Sequence, residues 1–335
     1  MKKKDVRKRN RRRETAMHLG AVALVLLVFC LVYVAEPKEG APIKQTAASS
    51  LAVYTPAPAE GATLPPPKAE STAEATPAPT PVPTAEGDFS TAFPTESTGG
   101  GLFSYQQEDL RIAVDMVQED GVTYFIADVW VRDIRTFSTA FAQNRFRTGR
   151  HEVPVKMAME HKAVLAVTGD YCGARREGLV IRNGELYRDS VQGDVCILYL
   201  NGEMATYTKE EFSLSEVLEK RPWQGWEFGP ALLQEGQAIE TFDSAIANRH
   251  PRNAIGYYAP GHYCFVTVDG RQKGYSKGMS LQELSQLFFE LGCKTAYNLD
   301  GGATAQMMVE GELINKPYKG GRECGDIIFF GGEGQ

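Results

Sequence analysis

The chain has 335 residues, of which 43% are hydrophobic, and its formal net charge is −6. Nine Lys or Arg residues and two acidic residues lie within the first fourteen positions, which leaves a net charge of about −13 on the rest of the chain. That remainder does not indicate a nucleic-acid partner, because phosphate backbones are bound by basic surfaces.

The first predicted element is a transmembrane helix over residues 16–35, preceded by a basic cytoplasmic tail of residues 1–15. Residues 16–35 contain no Asp, Glu, Lys or Arg, and a helix of that length spans roughly 30 Å, the thickness of a bilayer core. The positive-inside rule predicts a single-pass protein of the cell membrane, with a cytoplasmic N-terminus and an extracytoplasmic C-terminal domain. A cleaved signal peptide is the alternative, although its apolar run is usually shorter and residues 36–39 do not resemble a cleavage site.

Residues 36–104 are predicted to form a disordered linker. Twelve of the eighteen prolines lie there, together with many Thr, Ala, Ser and Glu residues. Such a segment cannot bury enough apolar surface to fold, so we expect an extended stalk. The remaining residues, 105–335, are long enough to form one sizeable core.

Short strands separated by glycine turns dominate this folded region. Asn183-Gly184 and Asn201-Gly202 are each flanked by apolar segments, which is a strong hairpin signal. The predicted strands cover residues 110–117, 122–131, 162–167, 179–181, 185–187, 195–200, 203–207, 253–258, 263–268, 307–309 and 312–314.

Three short helices are predicted, over residues 154–161, 213–220 and 281–291. Ser280 and Glu283 form a capping box at the start of the third helix, and leucines at helical spacing follow. The sequence therefore predicts an α+β domain with a mainly antiparallel or mixed sheet and a few packed helices.

The cysteines of the folded region carry little information. There are five, an odd number, and no C-x-x-C pair indicates zinc. Disulfide partners cannot be read from the sequence. Cys172 is a weak candidate nucleophile, since free cysteines are usually small buried apolar residues. No cofactor is assigned; a divalent cation stays an open alternative, because acidic side chains are present but no ligand spacing identifies one.

The most informative segment is Asn298-Leu299-Asp300-Gly301-Gly302-Ala303-Thr304, where a predicted strand runs into a glycine turn. Such a turn brings backbone amides, a carboxylate and a hydroxyl together. Further polar residues stand at other strand ends: Asp170, Arg252, Asn253, Asp269 and Asn315. Each of them taken alone is equally well explained as a turn former, an ion pair or a surface charge.

With these residues identified, the region from about residue 110 to 332 resembles the phosphodiester glycosidase family, whose animal member uncovers mannose 6-phosphate on lysosomal enzymes. Seven blocks occur in the order found in the family: T-G-D-Y at 168–171, F-G-P-A-L at 228–232, P-R-N-A-I-G at 251–256, V-D-G-R at 268–271, N-L-D-G-G-A-T at 298–304, I-N-K-P at 314–317 and G-D-I-I-F-F at 325–330. The sequence departs from the family pattern at Thr168, Cys172, Ala303 and Ala305, and the last of these removes one of two consecutive hydroxyls.

The resemblance implies hydrolysis between a sugar anomeric carbon and a phosphodiester. Asp300 is then the candidate catalytic carboxylate, acting as base or nucleophile, with Asp170 as the second carboxylate or as a residue that orients the sugar. Arg252 is the candidate phosphate contact, because a guanidinium binds phosphate oxygens in a bidentate manner. The remaining candidate substrate-binding residues are Asn253, Asp269, Gly301, Gly302, Thr304 and Asn315.

The implied partner is a glycosyl phosphodiester or another phosphate-containing glycan of the cell envelope, with the membrane as a second partner through the N-terminal helix. An alternative function is a non-catalytic envelope module that binds such glycans or assists exopolysaccharide assembly. The departures at Ala303 and Ala305 favour this alternative to some extent.

Overall fold

The computed structural model describes residues 86–95 and 100–332. The predicted basic tail, the predicted transmembrane helix and the predicted linker as far as residue 85 lie outside the described residues. Within the described part, no helix is both long and apolar enough to cross a membrane.

The described chain folds into three antiparallel sheets and a short ribbon. The first sheet has six strands, which are, in hydrogen-bonding order, β1 (Phe103–Gln106), β2 (Leu110–Glu119), β3 (Val122–Val131), β14 (His262–Val268), β13 (Arg252–Ala259) and β15 (Thr295–Leu299). The second sheet contains β7 (Glu185–Ser190), β6 (Gly178–Arg182), β10 (Pro222–Trp226), β8 (Val195–Tyr199) and β9 (Met204–Tyr207). The third sheet contains β17 (Glu312–Leu313), β16 (Met307–Val309), β5 (Leu165–Thr168), β18 (Asp326–Phe330) and β4 (Ser138–Phe141), and the ribbon pairs β11 (Leu233–Gln234) with β12 (Gln237–Ala238).

Three α-helices pack on these sheets: α1 (Pro154–Glu160), α2 (Leu214–Glu219) and α3 (Leu281–Glu290). Helix α3 begins with the predicted capping box, in which the Ser280 hydroxyl accepts from the Glu283 amide and the Glu283 carboxylate accepts from the Ser280 amide. Its apolar face, which includes Leu284 and Phe288, is buried against one side of the first sheet. The capping box thus fixes where α3 begins, and the apolar stripe fixes which face it buries.

The principal core lies where the three sheets meet. Phe137 precedes β4, is fully buried, and contacts aromatic rings from each sheet. Its ring centroid is 5.3 Å from that of Tyr263 and 5.9 Å from that of Phe265 in the first sheet, 5.9 Å from Trp226 in the second, and 4.9 Å from Phe330 in the third. Aromatic packing of this kind holds the sheets together in one core.

The folded part begins earlier than the predicted boundary at residue 105. Phe89 and Phe93 are buried, and Phe89 belongs to the principal core. The Ile134 amide donates to the Gly87 carbonyl at 2.9 Å. Residues 86–95 and β1 are therefore folded, although they lie at least partly within the linker predicted over residues 36–104, because the aromatic side chains of Phe89 and Phe93 give the segment enough apolar surface to pack.

The predicted fold class is confirmed in its main features, since short strands dominate, every strand pair is antiparallel, and the three predicted helices are present. Six strands were not predicted: β1, β4, β10, β11, β12 and β18. Of these, β4, β10 and β18 are held by pairing with strands from other parts of the chain, and such pairing is not visible in the local sequence.

Candidate active site

Asp170 and Asp300 lie side by side where the first and third sheets join. Asp170 follows β5 and Asp300 follows β15, and the Asp300 amide donates to the Gly169 carbonyl at 3.2 Å. The Asn253 side-chain amide, from β13, donates to the Thr168 carbonyl at 2.5 Å and closes the junction. Strand ends that are distant along the chain therefore place both predicted carboxylates at one cavity of about 240 Å³.

The cavity combines acidic and basic groups with an aromatic wall. Its lining residues are His151, Asp170, Tyr171, Gly173, Ala174, Asp300, Arg322, Glu323, Cys324 and Gly325. The Arg322 Nη2 atom is 3.4 Å from the Asp300 Oδ2 atom, and the guanidinium lies over the Tyr171 ring at 5.6 Å. Because the Arg322 side chain is 50% exposed, its remaining donors are accessible to an anion that enters the cavity.

Burial raises the pKa of Asp300 to about 6. The hydroxyl of Thr304, which donates to the Asp300 Oδ2 atom at 2.7 Å, and the charge of Arg322 both oppose that rise. A carboxylate whose pKa lies just below neutral pH is ionised at pH 7 and still holds a proton well. It is therefore suited to general-base work.

Asp170 is held more tightly than Asp300. Its Oδ1 atom accepts from the Cys172 amide at 2.8 Å and lies 3.1 Å from the Arg182 Nη2 atom, while its Oδ2 atom accepts from the Glu227 amide at 3.1 Å. These bonds occupy both oxygens. The Asp170 carboxylate is therefore better placed to contribute negative charge to the cavity than to accept a proton from a substrate.

Arg182 joins two buried carboxylates beneath the cavity. It is the last residue of β6, and its guanidinium lies 2.8 Å from the Asp326 Oδ2 atom as well as 3.1 Å from Asp170. Burial raises the pKa of Asp326, and the second carboxylate adds to that rise. Gly169 leaves room for this pair, since a Cβ atom at that position would lie 2.6 Å from the Asp326 Oδ2 atom.

Asp170, Cys172 and Asp326 also offer three ligand atoms within 4.8 Å of one another. The guanidinium of Arg182 already supplies the positive charge at this position, so a cation would have to displace it. Burial raises the pKa of the Cys172 thiol well above its ordinary value. A reactive cysteine needs the opposite shift, so Cys172 does not fit the alternative of a nucleophile.

The structure of the glycine turn does not match the prediction that the backbone amides of Gly301 and Gly302 both bind substrate. The Gly302 amide donates to the Pro251 carbonyl at 2.9 Å, so it is not available to a ligand. Gly301 permits this close approach, since a Cβ atom there would lie 2.6 Å from the Pro251 oxygen. Thr304 does lie beside Asp300, but its hydroxyl is within hydrogen-bond distance of the Asp300 carboxylate and the Gly301 carbonyl, to which it can donate.

Arg252 does not line the cavity, and its predicted phosphate contact is not supported by its position. Its Nε atom donates to the Met279 carbonyl at 3.0 Å, and its Nη2 atom donates to the carbonyls of Ile246 and Asn248, both at 2.6 Å. Successive strand residues point to opposite faces of a sheet. Asn253 contacts Thr168 on the cavity side, so Arg252 points to the side covered by α3.

Asp269 and Asn315 form a separate structural pair. The Asn315 side-chain amide donates to the Asp269 Oδ1 atom at 2.8 Å, and the Asn315 Oδ1 atom accepts from the Met307 amide at 3.0 Å. The other Asp269 oxygen accepts from the Tyr275 hydroxyl and from the Lys316 amide. Both side chains are buried and neither lines the cavity, so these contacts account for them as anchors of the loop after β17. Asn253 is also occupied by structural contacts, since its Oδ1 atom accepts from the Thr267 hydroxyl at 2.7 Å and its side-chain amide donates to the Thr168 carbonyl.

The acidic, basic and histidine residues of the site that were not predicted are His151, Arg182, Arg322, Glu323 and Asp326. Asp326 lies in the quoted block at 325–330, which was a signal for it, and Arg322 stands just before that block. Arg182 ends an ordinary apolar strand, and His151 lies in an irregular segment. Neither of the last two carries a local signal in the sequence.

The chain is similar to several known proteins. The SPbeta prophage-derived uncharacterized protein YomE of Bacillus subtilis (strain 168) is 31% identical over 180 residues, which are 51% of this chain but only 28% of that protein. The zebrafish N-acetylglucosamine-1-phosphodiester alpha-N-acetylglucosaminidase catalytic domain, auto-inhibited by its pro-peptide, is 19% identical with a TM-score of 0.55, covers 70% of this chain and 87% of its own, and therefore shows a shared fold. The family model described as phosphodiester glycosidase matches residues 161–331, just over half of the sequence. The chain belongs to the phosphodiester glycosidase family.

Proposed function

We propose that the domain hydrolyses a glycosyl phosphodiester, with the anomeric carbon beside Asp300 and the phosphate beside Arg322. The observation that carries this proposal is a buried carboxylate whose pKa is raised to about 6, in a cavity that also presents an accessible guanidinium 3.4 Å away. A carboxylate can serve the sugar and a guanidinium the phosphate of such a substrate, and a perturbed carboxylate in a cleft is a candidate catalytic group.

In the proposed reaction, the bond between the anomeric carbon and the bridging phosphate oxygen breaks, and that oxygen leaves with the phosphate monoester. The oxygen of water ends on the anomeric carbon. Asp300 either takes the proton from the attacking water or attacks the carbon itself, in which case water releases the sugar in a second step. A phosphate monoester has a second pKa of about 6, so its departure needs little protonation, and Arg322 stabilises the charge that it gains.

Asp170 acts in this proposal through Arg182 and through its field on Asp300. Its two oxygens are already bonded, and its negative charge raises the pKa of Asp300.

We further propose that residues 16–35 anchor the protein in the cell membrane and that the domain acts on a cell-envelope glycan outside the cytoplasm. The basic tail, the apolar run and the proline-rich linker support this part of the proposal.

The test is turnover of a glycosyl-1-phosphate methyl ester by the purified full-length protein in water enriched in ¹⁸O. Glycosidic cleavage places the label in the sugar, whereas attack on phosphorus places it in methyl phosphate. We expect the label in the sugar and a kcat/KM that falls about tenfold for each pH unit below about 6. A descending limb above that pH would instead make Asp300 an acid.

Asp243 supplies the matched control, since it is exposed and lies outside the cavity. Asp243→Asn should retain full activity, while Asp300→Asn should lose it. Binding of the ester without turnover by the wild-type protein would contradict the proposal and favour the non-catalytic envelope module.

A further inference from the structure

A loop rich in arginine adjoins the proposed reaction cavity. Residues 145–151, the arginine loop, contain Arg145, Arg147, Arg150 and His151 and no acidic residue. The chain after residue 14 has a net charge of about −13, so this concentration of positive charge is unusual. Within residues 86–95 and 100–332, no carboxylate lies within ion-pair distance of the Arg147 or Arg150 guanidinium.

The arginine loop is held rigidly against the walls of the cavity. The buried Glu152 carboxylate accepts from the Gln143 amide at 2.6 Å and so closes the base of the loop. The backbones of Glu152 and Cys324 exchange two hydrogen bonds, both of 3.0 Å, and the Gly149 amide donates to the Gly173 carbonyl at 2.7 Å. Cys324 and Gly173 both line the reaction cavity, so the loop is preorganised at its edge.

A second hollow of about 410 Å³ lies along this loop, and Arg147, Thr148, Gly149, Arg150, His151 and Glu323 line it. It shares His151 and Glu323 with the reaction cavity, so the two spaces adjoin. The reaction cavity, at about 240 Å³, is smaller than the ~300–1,000 Å³ usual for ligand sites. A glycosyl phosphodiester therefore extends beyond the reaction cavity, and the adjoining hollow is the space that the rest of the substrate would enter.

We propose that the arginine loop is an aglycone subsite that binds a second phosphate of the substrate. The substrate class is thus a glycosyl phosphodiester whose aglycone carries at least one further phosphate, and this inference rests on the proposed function. Arg147 and Arg150 supply charge-assisted hydrogen bonds to phosphate oxygens, whereas the Thr148 hydroxyl already donates to the Arg175 carbonyl. Glu323 contributes a single negative charge against two arginines, so the hollow keeps a positive balance.

The experiment compares three purified full-length proteins: the wild type, the double variant Arg147→Ala/Arg150→Ala, and the control Arg145→Ala. Arg145 belongs to the same loop and is exposed, but it does not line the hollow. Each protein is assayed at low salt on a glycosyl-1-phosphate methyl ester, on a nucleoside diphosphate sugar and on an oligomer of glycerol phosphate whose terminal hydroxyl is esterified with a glycosyl-1-phosphate. The last two distinguish a pyrophosphate from a repeating phosphodiester as the source of the second phosphate.

We expect kcat/KM of the double variant to fall by about 10- to 100-fold on a substrate with a second phosphate, as for the loss of one or two charged hydrogen bonds. On the methyl ester it should change less than about threefold, and Arg145→Ala should change less than about threefold on every substrate. An equal fall on all three substrates, or no fall on any, overturns the subsite.

Calorimetric binding of inorganic pyrophosphate separates this inference from the proposed function, because it needs no turnover. Affinity should drop at least fivefold in the double variant and remain within twofold in Arg145→Ala. Equal affinity in the three proteins rejects the subsite even where none of them is active.

Discussion

The substitution Asp300→Asn should make the domain more stable and inactive at the same time. The folded-state pKa of about 6, against an ordinary value of 3.8, means that the folded protein holds the Asp300 proton more tightly than the unfolded chain does. Ionisation therefore costs the folded state stability as the pH rises from about 4 to about 6, and the full cost is present above that range.

The magnitude follows from the two pKa values. At ~1.4 kcal/mol for each tenfold change in proton affinity, the cost reaches about 3 kcal/mol at pH 8. At pH 4.5 the folded carboxyl is mostly protonated and the cost is only about 1 kcal/mol. Asparagine has the same shape and can still accept from the Thr304 hydroxyl, but it carries no charge. It should therefore raise the free energy of unfolding by up to about 3 kcal/mol at pH 8 and by about 2 kcal/mol less at pH 4.5.

Urea unfolding of the wild type and of Asp300→Asn at the two pH values measures this difference, and Asp243→Asn serves as the control that should show none. The same samples supply the activity measurement, where we expect a loss of about 100- to 10,000-fold for removal of a general base. If the difference in the free energy of unfolding between the two proteins is equal at pH 4.5 and pH 8, the inference that burial of the ionised Asp300 carboxylate destabilises the folded state is refuted. Retained activity would refute its catalytic role.

Three further predictions concern the scaffold. Gly169→Ala should lower the free energy of unfolding by about 1–3 kcal/mol through overpacking, since its Cβ atom would lie 2.6 Å from the Asp326 carboxylate. The control Gly193→Ala has open space around the new Cβ atom, so its free energy of unfolding should stay within about 0.5 kcal/mol of the wild type. Equal urea midpoints for the two variants would contradict the packing argument. Ser280→Ala should cost about 1 kcal/mol through loss of the helix cap, which thermal unfolding would show. Arg252→Lys should lower stability by about 2–4 kcal/mol and leave KM for the methyl ester within about twofold, whereas a tenfold rise in KM at unchanged stability would restore its predicted phosphate contact.

Local patterns in the sequence were sufficient for much of the fold. The Asn-Gly hairpins, the capping box at Ser280 and the alternation of β2 and β3 depend on neighbouring residues, and the structure contains all of them. The resemblance of the seven blocks identified the family for the same reason, since each block is a short segment with its own turn chemistry. Local sequence failed at β10 and β18, because pairing with distant strands decides whether these segments are extended.

The candidate site shows the same division. The glycine turn after β15 marked Asp300, and the block at 168–171 marked Asp170, because each carboxylate is part of a local motif. The direction of Arg252 could not be read in this way. It depends on which face of the first sheet α3 covers, and the pairing of β13 with its two neighbours settles that.

What the sequence by itself determined is therefore most of the strands, the family and the two carboxylates at strand ends. What only the tertiary structure decided is which cations meet those carboxylates. Arg182 ends a strand of the second sheet, whereas Arg322 and the arginine loop lie in two irregular segments from other parts of the chain. Electrostatic partnership depends on distances of a few ångströms in space, and no local pattern along the chain encodes such distances.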